Sequence, residues 1–334
     1  LSDIVLSTDA LGMPWATEDP FLFCVHHLDR YPKGDGKLGP AADLAGRDLG
    51  QDFANKDGWN MYHGQRVPGF PAHPHRGFET LTVVLQGRLD HADSLGAAAR
   101  YGDGDAQWMT AGAGIVHSEM FPLLRTDGPN TAELFQIWVN LPPERKLAQP
   151  GYRMLWRNEI PKLDLAPGAR VTLVAGKLGG REAAPPPERS WAADPANELG
   201  VWIVDLRPGA GLELPAASKG LNRTLYAFEG EGLRVDGQPL AQRHRARLRP
   251  DAALKLQAGP QGNRLLLLQG RPIGAPVANY GPFVMNNRRE LEEAFEAYQK
   301  TRFGAWAWAS EAPTHGMDPA RFARYPDGRV ENPA

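Results

Sequence analysis

The sequence predicts an all-β protein of short antiparallel strands with one helix near its end. Three observations carry that reading. The 334 residues include 37 Gly and 30 Pro, which interrupt the chain too often for a mainly helical fold. β-branched and apolar runs of strand length lie between these turn residues, as in Thr-Leu-Thr-Val-Val-Leu over 80–85. The same rhythm stops at Leu141-Pro142-Pro143 and then resumes, so the double proline is read as a boundary between two domains, 1–143 and 144–334. In each half the spacing implies an antiparallel sandwich or barrel.

Residues 1–20 read as an edge strand and a loop, and Pro20 to His27 as a buried strand. Cys24 sits among Phe21, Leu22, Phe23 and Val25 and reads as core. His26 and His27 point to opposite faces, one at the core margin and one solvated. Residues 30–58, rich in Gly, Asp and Lys, form a long surface excursion of the kind that covers a site. Strands are predicted at 59–66, 80–85, 88–92, 106–110, 115–120 and 132–140, with a turn at Asp93-Ser-Leu-Gly96. The second series is 170–175, 200–206, 224–228, 233–235, 246–248, 253–257 and 265–269. Residues 179–197, with Pro185-Pro-Pro187, make an exposed loop. Asn287 to Lys300 is the helix. Leu291, Ala294, Phe295 and Tyr298 form its apolar stripe, and Asn287 with Glu290 is spaced like a capping box. The tail, with Trp306, Trp308 and Phe322, is expected to lie over a domain surface.

Charge and cysteine content narrow the function classes. With 37 basic and 39 acidic residues the formal charge is -2, so direct nucleic-acid binding and attraction to an anionic membrane are not expected. One cysteine rules out an intramolecular disulfide and a Cys-rich metal site, and it fits a reducing, cytoplasmic setting. No apolar window is long enough for a membrane helix, and no basic-then-apolar leader opens the sequence.

The candidate site lies between Gly69 and Glu119. His73-Pro-His75 and His117-Ser-Glu119 each place two donors on one face of a strand. On neighbouring antiparallel strands the four side chains can converge on one divalent iron, nickel, manganese, copper or zinc ion, whereas calcium or magnesium would want more oxygen. Four protein ligands leave coordination positions open for a substrate or dioxygen. Glu79 shares the strand parity of His75 and is the rival carboxylate; its other role is to orient a ligand histidine or a strand amide. His63 and His91 read as ordinary strand histidines. Gly112-Ala-Gly114 reads as a tight turn into the His117 strand, since no helix and no Lys-Ser/Thr follows it. Phe78, Trp108, Met109 and Trp138 are candidates for an apolar pocket wall or for core.

These residues resemble the pirin family of the cupin superfamily. The resemblance rests on His73-Pro-His-Arg-Gly-Phe-Glu-Thr80, Asp93-Ser-Leu-Gly96, Gln107-Trp-Met-Thr-Ala-Gly112, Gly114-Ile-Val-His-Ser-Glu-Met120 and Tyr280-Gly-Pro-Phe-Val-Met-Asn286. It runs from about Pro20 to Lys300. It implies a bicupin, two antiparallel β-barrels in one chain, with the metal in the N-terminal barrel only. The helix and extended tail follow the second barrel. Its ligands fall on His73, His75, His117 and Glu119, with Fe(II) the first choice of metal. The second half has no His-x-His, and His244 stands alone among arginines, so no metal is expected there.

The resemblance implies two functions. One is a quercetin 2,3-dioxygenase acting on flavonol-like enolic or phenolic small molecules with dioxygen, in which Glu119 both ligates and accepts the substrate proton. The other is a non-catalytic, redox-sensing metal module that binds a protein partner. The arginines at 243, 245, 247 and 249 could support such a surface, although their alternation suits a solvated strand face. The long insertion after Asp29 departs from the family pattern at the place where it would alter how the pocket is covered.

Overall fold

Turn residues cut the chain into short strands throughout the computed structural model, which describes residues 3–333. The first strands are β1 (Val5–Ala10), β2 (Phe21–Tyr31), β3 (Gly69–His75), β4 (Phe78–Gln86) and β5 (Arg88–Asp93). Next come β6 (Ala98–Gly102), β7 (Ala106–Thr110), β8 (Ile115–Met120), β9 (Asn130–Asn140) and β10 (Gly151–Leu155). Further strands follow, and among the described residues one α-helix, α1 (Arg288–Thr301), is present. The chain is therefore mainly β with a single helix, as its composition predicts.

Two compact units form, neither continuous in sequence. One takes the chain up to Val25, Ile137–Pro142 and Asn158–Gly274; the other takes His26–Gln136, Pro143–Arg157 and the segment from Ala275 onward. A single cut at Pro142-Pro143 would separate strands that pair. β1 pairs with His244–Leu248, and Phe322–Arg324 pairs with β6.

In the first unit β1 edges a seven-stranded sheet. It continues through His244–Leu248, Asn222–Glu229, Asn263–Gly270, Gly200–Leu206, Ala169–Ala175 and Lys162–Ala166. A four-stranded sheet contains Gly211–Leu214 and Leu254–Gln257. Residues two apart share a strand face, so Leu212 and Leu214, Leu225 and Ala227, Leu254 and Leu256, and Leu265 and Leu267 meet in one aliphatic core. Cys24 is buried, and burial pushes its thiol well above the usual range, as suits a core cysteine. Three of the four arginines in the run are paired locally: Arg245 with Asp9 and Glu18, Arg247 with Glu18, and Arg249 with Asp251.

The second unit holds β10, β7 and β4 in a sheet whose order continues through β9 and β2, of which residues 130–136 and 26–31 belong to this unit. A six-stranded sheet of the same unit runs Val330–Glu331, Phe322–Arg324, β6, β5, β8 and β3. Helix α1 starts as its sequence predicts. Asn287 Oδ1 accepts the Glu290 amide at 3.0 Å, while Glu290 Oε1 accepts Asn287 Nδ2 at 2.8 Å. Its stripe of Leu291, Ala294, Phe295 and Tyr298 packs with Phe283, Met285 and Phe303.

Residues 59–66 do not form the predicted strand. Tyr62 adopts φ 56°, a left-handed conformation that ends extended pairing, and it exchanges two backbone hydrogen bonds with Asp52 instead. The polar insertion is organised by one buried cation. The Arg47 guanidinium lies 3.3 Å from the Trp59 ring centroid and donates to Asp52 at 2.8 Å and to the Lys56 carbonyl at 2.7 Å. The tail is more than a surface covering. Besides Phe322–Arg324 joining β6, Arg321 pairs with buried Asp105 at 2.6 Å, and buried Arg100 grips Asp90 through two bonds of 2.6 Å while also donating to the Asp318 carbonyl.

Candidate metal centre

β3 and β8 run antiparallel with His73 directly opposite His117. Strand alternation puts His75 on the face of His73, and a register shift between Phe70 and His73 sets which residues oppose one another. The three rings lie 4.4 Å (His73 to His117), 4.8 Å (His73 to His75) and 5.0 Å (His75 to His117) apart. One ligand atom from each lies within 4.8 Å of the others, close enough to share an ion.

The turn after β3 fixes His75. Gly77 has φ 86°, and a Cβ there would fall 1.9 Å from the Val284 carbonyl oxygen, so only glycine fits. Buried Lys146 donates to the Gly77 carbonyl at 2.8 Å and to that of Val284 at 3.2 Å, locking this turn. Burial lowers the Lys146 ammonium to about 8.

Hydrogen bonding sets the tautomers. A carbonyl can only accept, so His73 Nδ1, 2.8 Å from the Pro71 oxygen, carries the proton and leaves the Nε2 lone pair available. His75 Nδ1 faces the Pro282 oxygen at 3.4 Å with the same consequence. His117 differs: it is fully buried, and among the described residues neither ring nitrogen has a hydrogen-bond partner. Burial lowers His73 to about 4 and pushes His75 and His117 well below the ordinary histidine value, with the neighbouring imidazoles acting in the same direction. All three are thus neutral at pH 7, the form in which an imidazole binds a metal. An orphaned buried imidazole facing two free lone pairs fits a transition metal well.

Glu119 stands two residues beyond His117, outside the convergent trio. Its Oε1 accepts from Thr82 Oγ1 at 2.9 Å, its Oε2 accepts from Gln136 Nε2 at 3.4 Å, and burial raises its carboxyl. Glu79, the rival carboxylate, is buried and accepts from Thr110 Oγ1 at 2.7 Å. Phe78 lies 5.0 Å from the His75 ring. Trp108 and Met109 are buried, and Trp138 stacks on Phe23 in the first unit, so it is no wall of this site.

Sequence reasoning undervalued His91. It is fully buried, its ring is 5.6 Å from that of His117, and its Nε2 meets Asp93 Oδ2 at 3.1 Å. The signal lay in pairing rather than spacing, because β5 sets His91 opposite Glu119. Thr82, Gln136 and Lys146 carried no sequence signal. His26 bonds Glu133 at 2.9 Å, and His244 in the first unit bonds the Gln242 carbonyl at 3.0 Å.

The model of the family described as Pirin matches residues 45–139, and that of the Pirin C-terminal cupin domain matches residues 201–304. A Pseudomonas aeruginosa protein, provisionally named quercetin 2,3-dioxygenase, is 40% identical over 237 residues, covering 70% of this chain and 79% of its own length. A pirin-like protein of Solanum lycopersicum is 38% identical over 239 residues, covering 71% and 77%. The crystal structure of a quercetin 2,3-dioxygenase from Acinetobacter baumannii superposes with a TM-score of 0.68 at 27% identity, covering 86% of this chain and 87% of that one.

Proposed function

Because the chain belongs to the pirin family, we propose that it is a metal-dependent dioxygenase of the quercetin 2,3-dioxygenase type, acting on flavonol-like enolic or phenolic substrates. His73, His75 and His117 hold one divalent transition metal, Fe(II) foremost, with Glu119 as the fourth ligand; nickel, manganese, copper and zinc accept the same donors. The observation that carries this reading is His117, buried with both ring nitrogens unbonded and facing two imidazoles whose protons are turned outward. The metal, when bound, would supply a Lewis acid and, for the redox-active ions, a one-electron centre.

The remaining roles belong to the chain. The Glu119 carboxylate accepts the enol or phenol proton, Thr82 and Gln136 hold that carboxylate in place, and Phe78 keeps water from the His75 side. We take each unit to close as a β-barrel, with the metal chemistry in the unit containing β3 and β8 and the protein acting in the cytoplasm.

Anaerobic purification with metal analysis, followed by oxygen uptake with flavonols, tests this. Glu119→Gln should retain part of the metal and lose turnover; unchanged uptake would remove Glu119 from proton transfer. Absence of uptake with any enol or phenol, together with metal-dependent capture of a protein partner, would favour the regulatory module instead. The arginines at 245, 247 and 249, each paired with a nearby carboxylate, offer that reading little support.

A further inference from the structure

His75 and His117 are buried, whereas His73 is partly exposed, and it lines a cleft of about 920 Å³. Phe70 of β3 forms one wall. The others come from two parts of the chain that the metal site itself does not use: the long insertion with the loop after it, and the tail. The Ala72 amide donates to the Glu311 carbonyl at 2.7 Å, so the tail side is fixed against β3. His63 is also anchored, its Nδ1 lying 2.7 Å from the Gly50 carbonyl and its ring 5.8 Å from that of Phe70.

Some cations of the unit are paired and others are not, and two of the unpaired ones stand at this cleft. Arg47, Arg88, Arg100 and Arg321 each pair with an aspartate. Lys37 and Arg66 line the cleft, are exposed, and among the described residues form no ion pair or side-chain hydrogen bond. Glu311 is the single carboxylate on the lining, so two cations face one acid.

We propose that this cleft selects substrates carrying a carboxylate in addition to the enol or phenol, with the carboxylate held by Lys37 and Arg66 and the aromatic ring lying against Phe70. The inference rests on the metal-site reading for the direction in which the phenol points. Arginine and lysine bind a carboxylate through charge-assisted hydrogen bonds, whereas a neutral group of the same shape gains none of that energy.

A matched pair of probes tests it: 3-(4-hydroxyphenyl)propionate and its neutral amide, titrated calorimetrically into the metal-loaded protein. The acid should bind about tenfold more tightly or better, consistent with one charge-assisted contact. The ratio should fall towards one in the double variant Lys37→Gln with Arg66→Gln, and also as salt is raised. Equal affinities overturn the proposal. So does a preference that survives in the double variant, since that would place the carboxylate at the metal. Both residues are exposed, so the variant should keep the wild-type melting profile and metal content. If no enol or phenol supports oxygen uptake but the acid preference is present and is lost in the double variant, the cleft assignment stands and the dioxygenase reading falls.

Discussion

In the first unit, inward-facing positions carry Leu225, Leu265 and Leu267; in the second, neighbouring positions of β3 and β8 carry His73, His75 and His117. Both arise from the same alternation of strand side chains, and their energetics are opposite. Burying a leucine stabilises by about 1.5–3 kcal/mol. Burying an imidazole with no partner costs about 1–3 kcal/mol. The first core is closed by aliphatic packing, whereas the second unit, besides its apolar core, holds at His117 a buried ring that a ligating ion would satisfy.

The largest effect is expected from His73→Ala, which should bring oxygen uptake to background and abolish the rise in melting temperature on adding metal. A melting temperature that still rises with metal would move the site elsewhere. Next, Leu267→Ala in the first unit should cost about 2–5 kcal/mol in urea unfolding while leaving metal affinity unchanged. A large loss of metal affinity would couple the two interiors.

His117→Leu would give the second interior the character of the first. The metal-free protein should gain about 1–3 kcal/mol, the penalty of the unpartnered ring, and lose its response to metal. Calorimetry with and without metal reads both, and a less stable metal-free variant would show that the imidazole is not orphaned in solution.

The smallest effect is on pH dependence. His73 titrates at about 4 when folded and near 6.5 when unfolded, so between these values the unfolded chain binds the extra proton. The metal-free protein should be fully stabilised by this group above pH 6.5 and lose about 1.4 kcal/mol per pH unit as pH falls towards 4. His75 and His117 shift in the same direction and steepen the slope. A pH-independent stability across that window would mean that the site opens to water before it protonates.

Much of this site was legible because its determinants are local. His-x-His and His-x-Glu spacing fixes which side chains share a face, and Asn287 with Glu290 marks the helix start whatever surrounds it. What was not legible depends on pairing between distant residues. Nothing near Phe322 announces that it will pair with Arg100, nor does anything near Val5 point to Leu248. Tyr62 misled because its apolar neighbours read as a strand, while tertiary contacts with Asp52 and Asp29 hold it at positive φ. His91 entered the site through its strand partner, which a single sequence cannot supply.

The tail strand on β6 has a consequence for how the protein is handled. A version ending before Arg321 would leave β6 as a bare sheet edge, with unpaired amides and carbonyls ready to join a second molecule. It would also leave Asp105 buried without its cationic partner, a loss of the order of 3–5 kcal/mol. Shortened versions should therefore aggregate rather than simply lose activity, which makes the tail a guard on solubility as much as a wall of the cleft.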